Sequence, residues 1–181
     1  MNPSQFVLSL IRAFGGEISG RTLLQKRAYF VSMLSGLPLD LGYQAHYYGP
    51  YSATLDGTLT QMKNLGFVEE GSTGFGTSGG FEMRRYDYSL TEDGDRVLQR
   101  FAEDREYQAI EAAAKKIQNA GNPDYVELSI AAKAFYILQK QKKPMTAAEL
   151  LKEATKFNWN IPEHSLKGAI RFLTSVGLTK G

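Results

Sequence analysis

Leu65-Gly66-Phe67-Val68-Glu69-Glu70, the tract Gly71-Ser72-Thr73-Gly74-Phe75-Gly76-Thr77-Ser78-Gly79-Gly80, and Phe81-Glu82-Met83-Arg84-Arg85-Tyr86-Asp87-Tyr88-Ser89-Leu90 together decide the fold. Gly66 has the place of a C-cap glycine, so a helix stops there. Phe67 to Glu70 is a short strand. The tract from Gly71 to Gly80 holds five glycines in ten positions and reads as a flexible loop tip. Met83, Tyr86 and Tyr88 then carry a returning strand. The unit is a helix followed by a β-hairpin.

Upstream, Asn2 and Pro3 are the N-cap and first-turn residues of a helix that carries Phe6, Leu8, Leu10, Ile11 and Phe14 and stops at Gly15-Gly16. Glu17-Ile18-Ser19 is a short extended link. A second helix spans about Gly20 to Ser35, with Leu23, Phe30 and Leu34 on one stripe and Leu24 and Val31 beside it. Tyr43 to Tyr48 reads as one aromatic strand, punctuated by Gly49-Pro50. Ser52 caps a third helix, about Ala53 to Asn64, which buries Leu55, Leu59 and Met62. Helix, helix, strand, helix and hairpin is the order of a winged helix-turn-helix, with the hairpin as the wing.

Downstream, Thr91-Glu92-Asp93-Gly94-Asp95 opens a helix with acids at the positive end of its dipole. It is expected to run unbroken to about Ala120, through Val97, Phe101, Ile110 and Ile117. Three further helices are expected at about Glu127–Gln139, from Thr146 behind a capping box, and at about Pro162–Val176. The fold class is therefore mainly α with a small β-hairpin. Residues 1–98 form the winged-helix core, and 99–181 form a long helix plus a C-terminal helical, trihelical unit. Leu65-Gly66-Phe67 and Val176-Gly177-Leu178 echo each other as helix stops.

Composition excludes several classes. The chain has 181 residues, 43% of them hydrophobic, and no cysteine, which removes disulfides and thiolate metal sites. No apolar run nears the ~20 residues of a membrane helix, and the first residues lack a secretion signal, so a cytoplasmic protein is expected. The net charge is +2, with a negative excess over residues 1–98 and a positive one over 99–181.

Catalytic signatures are missing. His46 and His164 lie far apart, and neither a Walker loop nor a nucleophile elbow is present. Gly74-Phe75-Gly76-Thr77-Ser78-Gly79 spells a dinucleotide fingerprint, but between two strands, where no helix N-terminus can receive a phosphate. No enzyme activity, metal or cofactor is expected.

Binding surfaces are better represented. A helical rotation sets Ala53, Thr54, Gly57, Thr60, Gln61 and Asn64 opposite the buried stripe of the third helix, without one charge among them. DNA affinity rests largely on Lys and Arg against phosphate, so this face is better suited to a protein, although Gln61 and Asn64 are able to read adenine. Arg27 falls inside the apolar stripe and calls for an acidic partner from the N-terminal unit, or for snorkelling to solvent. Gln25 and Lys26 turn toward the helix edge. Tyr48 and Tyr51 flank the Gly-Pro turn as aromatic anchors. Arg84 and Arg85 on the wing, and Lys167 and Arg171 opposite Leu166, Ile170 and Leu173, are the alternative nucleic-acid contacts.

Four stretches carry a resemblance. Gly20-Arg21-Thr22-Leu23-Leu24-Gln25-Lys26-Arg27-Ala28-Tyr29-Phe30, His46-Tyr47-Tyr48-Gly49-Pro50-Tyr51-Ser52, Leu65-Gly66-Phe67-Val68 and Phe172-Leu173-Thr174-Ser175-Val176-Gly177-Leu178 resemble, in that order, signatures of YwgA-like bacterial proteins and the related Panacea antitoxin domain. Arg27 departs from the aliphatic residue usual there. The resemblance implies a winged-helix protein without an established enzymatic activity that docks a partner protein, such as a toxin encoded nearby. A DNA-binding regulator is the alternative, and self-association stays open.

Overall fold

The computed structural model describes residues 1–78 and 81–179. The order of elements is α1 (Pro3–Ala13), β1 (Glu17–Ser19), α2 (Arg21–Ser35), β2 (Gln44–His46), β3 (Gly49–Tyr51), α3 (Ala53–Asn64), β4 (Val68–Ser78), β5 (Phe81–Leu90), α4 (Glu92–Gln99), α5 (Arg105–Asn119), α6 (Tyr125–Gln141), α7 (Ala147–Thr155) and α8 (Glu163–Ser175). The chain is mostly helical, with two small antiparallel sheets.

The predicted caps form. Asn2 accepts from the Gln5 amide at 2.9 Å while the Gln5 side chain accepts from the Asn2 amide at 3.0 Å. Thr146 and Glu149 close a second capping box. Asp124 and Glu127 form a third, at a position not expected, so α6 starts at Tyr125 and not at about Glu127. The two echoed helix stops are bonded alike. Phe67 N reaches Met62 O and Leu178 N reaches Leu173 O, each across a left-handed glycine, Gly66 or Gly177.

Sheet order is β1-β5-β4. The extended link Glu17–Ser19 is a true strand, in which Ile18 pairs with Tyr88 and both are fully buried. The glycine-rich tract is not a loop as far as it is described. Val68 to Ser78 is continuous strand against β5, with one register shift between Gly74 and Thr77 where Gly76 takes a positive φ. Regular ladder hydrogen bonds overcome the weak strand preference of glycine here. Gly79 and Gly80, the end of the predicted loop, lie outside the described residues.

The predicted helix from 91 to 120 is two helices. It breaks at Arg100–Asp104, where Phe101 N turns back to Leu98 O and Asp104 takes an extended conformation at the N-cap position. The break lets α4 lie on α1 and β5, while α5 redirects along α1 and α2. No single straight helix reaches both surfaces.

The hydrophobic core is continuous across these elements. Phe6, Leu10 and Ile11 of α1 meet Leu55 and Leu59 of α3; Ile110 and Ile117 of α5, and Leu128 and Ile137 of α6, extend the same cluster. The helix α2 is at its centre, touched by α1, α5, α6, β1, β3 and β5. Nine consecutive α2 residues, Leu24 to Ser32, are buried. A helix enclosed on every side has no solvent face on which to place polar residues.

The hairpin is locked at its base. Thr91 Oγ1 donates to Gly66 O at 2.6 Å and accepts from Gly94 N at 3.1 Å. Gly94 passes so close to the β4 entry that a Cβ there would sit 2.2 Å from Phe67 O. Gly94→Ala should therefore lower the urea midpoint of unfolding, with a loss of about 2–3 kcal/mol.

Candidate functional site

The buried polar residues of α2 organise the region around α3. Gln25 donates from Nε2 to Ser52 O at 3.0 Å and accepts from Ser52 N on Oε1 at 3.0 Å. Its amide pairs with the backbone as a neighbouring strand would. Ser52 is fully buried, donates its hydroxyl to Leu41 O and accepts from Leu55 N at 2.9 Å, which caps α3. Lys26 Nζ donates to Pro50 O at 2.6 Å. Gln25 and Lys26 are thus 3% and 2% exposed, and not edge residues. Two of the sequence signatures meet inside the protein, one supplying side chains and the other the backbone that they hold.

Gly49 and Pro50 are not the turn. They lie in β3, paired with Ala45 and His46 of β2, and the turn is Tyr47-Tyr48. Gly49 has φ +103, and a Cβ there would stand 3.2 Å from Lys133 Cγ and 3.6 Å from Lys26 Cε. Burial, and then the neighbouring Lys133 charge, pushes the Lys26 ammonium down to about 7. Burial lowers Lys133 as well.

Among the described residues Arg27 finds no acid. Its Nη2 donates to Asn122 Oδ1 at 3.1 Å, and its guanidinium sits 4.1 Å from the centroid of Phe14. Nε is buried with no partner in the described structure. The expected acidic partner is replaced by an amide and an aromatic face, because Phe14 and the α5–α6 turn are what tertiary packing brings there. At 9% exposure Arg27 supports the α5–α6 turn from inside and offers little to a partner.

The outer face of α3 is open. Ala53, Thr54, Gly57, Thr60, Gln61 and Asn64 are all exposed, and Leu65 beside them is 56% exposed. The helix's own charges are engaged sideways. Asp56 lies 3.6 Å from Arg21, and Lys63 holds Glu70 at 2.6 Å. Tyr47 and Tyr48 stand out at 73% and 54% exposure with their rings edge to face. Tyr51 is half-buried, 5.1 Å from the His46 ring. His46 O accepts from Trp159 Nε1 at 2.6 Å, which ties the β2–β3 hairpin to the C-terminal helices.

No family model matches the chain. Over 83 residues it is 41% identical to "Uncharacterized protein YwgA" of Bacillus subtilis (strain 168), a stretch that makes up 46% of this chain and 46% of that protein. The chain is similar to YwgA. The match spans about half the length of that relative.

The remaining candidates lie elsewhere. Arg84 Nη1 donates to Ser72 Oγ at 3.3 Å, and Arg85 is held by Asp87 at 2.7 Å. Lys167 and Arg171 are exposed on α8. Ile170, expected to be buried opposite them, is 37% exposed, because the inward stripe is Leu166, Ala169, Phe172 and Leu173. Arg171 and His164 border a groove of about 560 Å³ between α8 and the start of α6. His46 is not among the residues of that groove. Among the described residues no group of three or more His, Asp or Glu is arranged to hold a metal.

Sequence reasoning missed Gln25 and Lys26, because helical periodicity assumes one buried face. It also missed Tyr47, which the misplaced turn concealed.

The low proton affinity of folded Lys26 has a signed consequence. Between about pH 7 and 10.5 the unfolded chain holds the Lys26 proton and the folded chain increasingly does not. Stability therefore rises with pH across that window. Lys26→Met removes this titration. From pH 7 to pH 10 the wild-type chain should gain on the variant by up to about 4 kcal/mol in urea unfolding.

Proposed function

We propose that the protein is a winged-helix binding module, antitoxin-like, that docks a partner protein through the outer face of α3 rather than catalysing a reaction. Support for the winged helix comes from the order helix, strand, helix, short β2–β3 hairpin, helix and long β4–β5 hairpin, and from β1 lying on the outer side of β5. Resemblance to YwgA-like and Panacea proteins points the same way.

One observation carries the docking reading. The α3 face is exposed, continuous and uncharged, while the neighbouring Asp56 and Lys63 are turned into lateral ion pairs. Small residues let another backbone approach closely, and Leu65, the adjoining apolar residue, adds area to be buried. Desolvating threonine and glycine against a protein costs less than desolvating charges. Against a nucleic acid, the same face has no cation with which to displace counterions. Arg27 leaves the set of docking residues, since it is buried.

A DNA-binding regulator is the second reading, favoured by the exposed Lys167 and Arg171 and by Arg84 and Arg85 on the hairpin. Its contacts lie outside the α3 face, so the two readings separate by mutation.

The test is co-expression with the product of the adjacent reading frame, followed by tagged pull-down. Nothing lies within 4 Å of a Cβ at Gly57, so Gly57→Arg fits without disturbing the fold and favours the helix by roughly 1 kcal/mol. Gly57→Arg and Thr60→Glu should each abolish retention of the partner while keeping the wild-type circular dichroism. Retention by both variants rejects the α3 surface. A duplex titration at two salt concentrations should show no salt-dependent binding; a steep salt slope lost in Lys167→Ala and Arg171→Ala would favour the regulator instead.

A further inference from the structure

A second concave surface lies away from the outer face of α3. The first turn of α2, the inner part of the β4–β5 hairpin and the start of α6 enclose a cleft of about 410 Å³. That volume falls in the range of small-ligand sites, roughly 300–1,000 Å³. Arg21, Arg84 and Arg85 line it together with the rings of Phe75, Tyr86 and Tyr125. No Asp or Glu belongs to the lining among the described residues, although from outside it Asp56 and Glu70 reach Arg21 and Asp87 reaches Arg85. The rings are exposed at 55%, 41% and 55%, so three of the protein's large exposed hydrophobic side chains face one cleft.

We propose that this cleft binds a nucleotide unit, a phosphate joined to a flat base. Guanidinium forks match phosphate oxygens in geometry and charge. Exposed aromatic rings give a base a stacking surface that hydrogen-bonding side chains alone would not. Asp87 accepts from Arg85 Nε at 2.7 Å and from Nη2 at 3.3 Å, which occupies one edge of the guanidinium and fixes its direction, while the guanidinium lies 5.4 Å from the Phe75 centroid. The cation thus lies over one face of the Phe75 ring, and Tyr86 and Tyr125 supply further exposed ring surface in the same cleft.

The backbone adds to the same polarity. Gly20 occupies the N-cap of α2, with φ +104 and no side chain to accept from the helix, and the first amide bonded within the helix is Leu24 N. The Arg21, Thr22 and Leu23 positions border the cleft with the positive end of the dipole behind them. The larger groove beside α8 lacks this character, since Glu127 contributes to its wall and it has one arginine. This site is independent of the α3 docking reading.

The test uses the full chain. A labelled oligothymidine strand of roughly ten nucleotides is titrated by fluorescence anisotropy at low salt. Thymidine monophosphate and inorganic phosphate are titrated directly by calorimetry. Binding of the strand, of the monophosphate, or of both supports the site; the strand alone identifies nucleic acid as the source, and the monophosphate alone a free nucleotide. Arg84→Ala with Arg85→Ala should weaken that binding at least ~10-fold, and Phe75→Ala roughly 5-fold or more. Lys115→Ala, which removes an exposed cation of α5 outside the cleft, should leave it unchanged. Should the double arginine variant fail to fold, Phe75→Ala and Tyr125→Ala, at exposed positions, carry the measurement. No binding of either probe overturns the proposal. So does affinity that survives all of these changes, or inorganic phosphate that binds as tightly as the monophosphate.

Discussion

Enclosure of α2 on every side is the constraint on which the rest depends. A central helix normally resolves this by being apolar all round. Here it carries Gln25, Lys26 and Arg27 in sequence, and each must find a partner away from water. Gln25 takes the backbone of Ser52, Lys26 the carbonyl of Pro50, and Arg27 the amide of Asn122 with the ring of Phe14. The three side chains point in different directions and therefore fasten different parts of the chain to one axis. β3, the α3 cap and the α5–α6 turn are all positioned from within α2.

That internal fastening frees the outside of α3. Because Ser52 is held by Gln25, the first turn of α3 is fixed without help from its outer residues. The flanking charges are absorbed by Arg21 and Glu70. What remains is a short, plain, uncharged helix face on a rigid base, an arrangement suited to adhesion by shape. The exposed tyrosines of the β2–β3 turn belong to a different element, which is tied by Trp159 to the C-terminal helices.

Three cationic side chains of the N-terminal half, Arg21, Arg84 and Arg85, gather at one cleft beside the hairpin, from which Arg21 also reaches Asp56 of α3. Arg84 and Arg85 lie along β5 with Asp87, and their side of the molecule is completed by the first turn of α2 and by Tyr125 from a distant part of the chain. A weak net charge of +2 conceals this local concentration. Charge matters by position, since screening restricts each group to its neighbourhood of about 10 Å.

Local chemistry determined much of this protein from its sequence alone. Asn2, Ser52, Thr91 and Thr146 announced helix starts, Gly66 and Gly177 announced helix stops, and the exposed face of α3 followed from periodicity, because these signals act within a few residues. Tertiary structure alone decided the rest. Gln25 and Lys26 became interior residues only because helices from both halves of the chain close around α2. The glycine-rich tract became strand because β5 supplies its hydrogen-bond partners, and the helix after Thr91 broke because two surfaces at different angles had to be covered. Periodicity reports which face of a helix is buried when one side is open; it is silent when every side is covered, and the number of covered sides is set by residues far away in the chain.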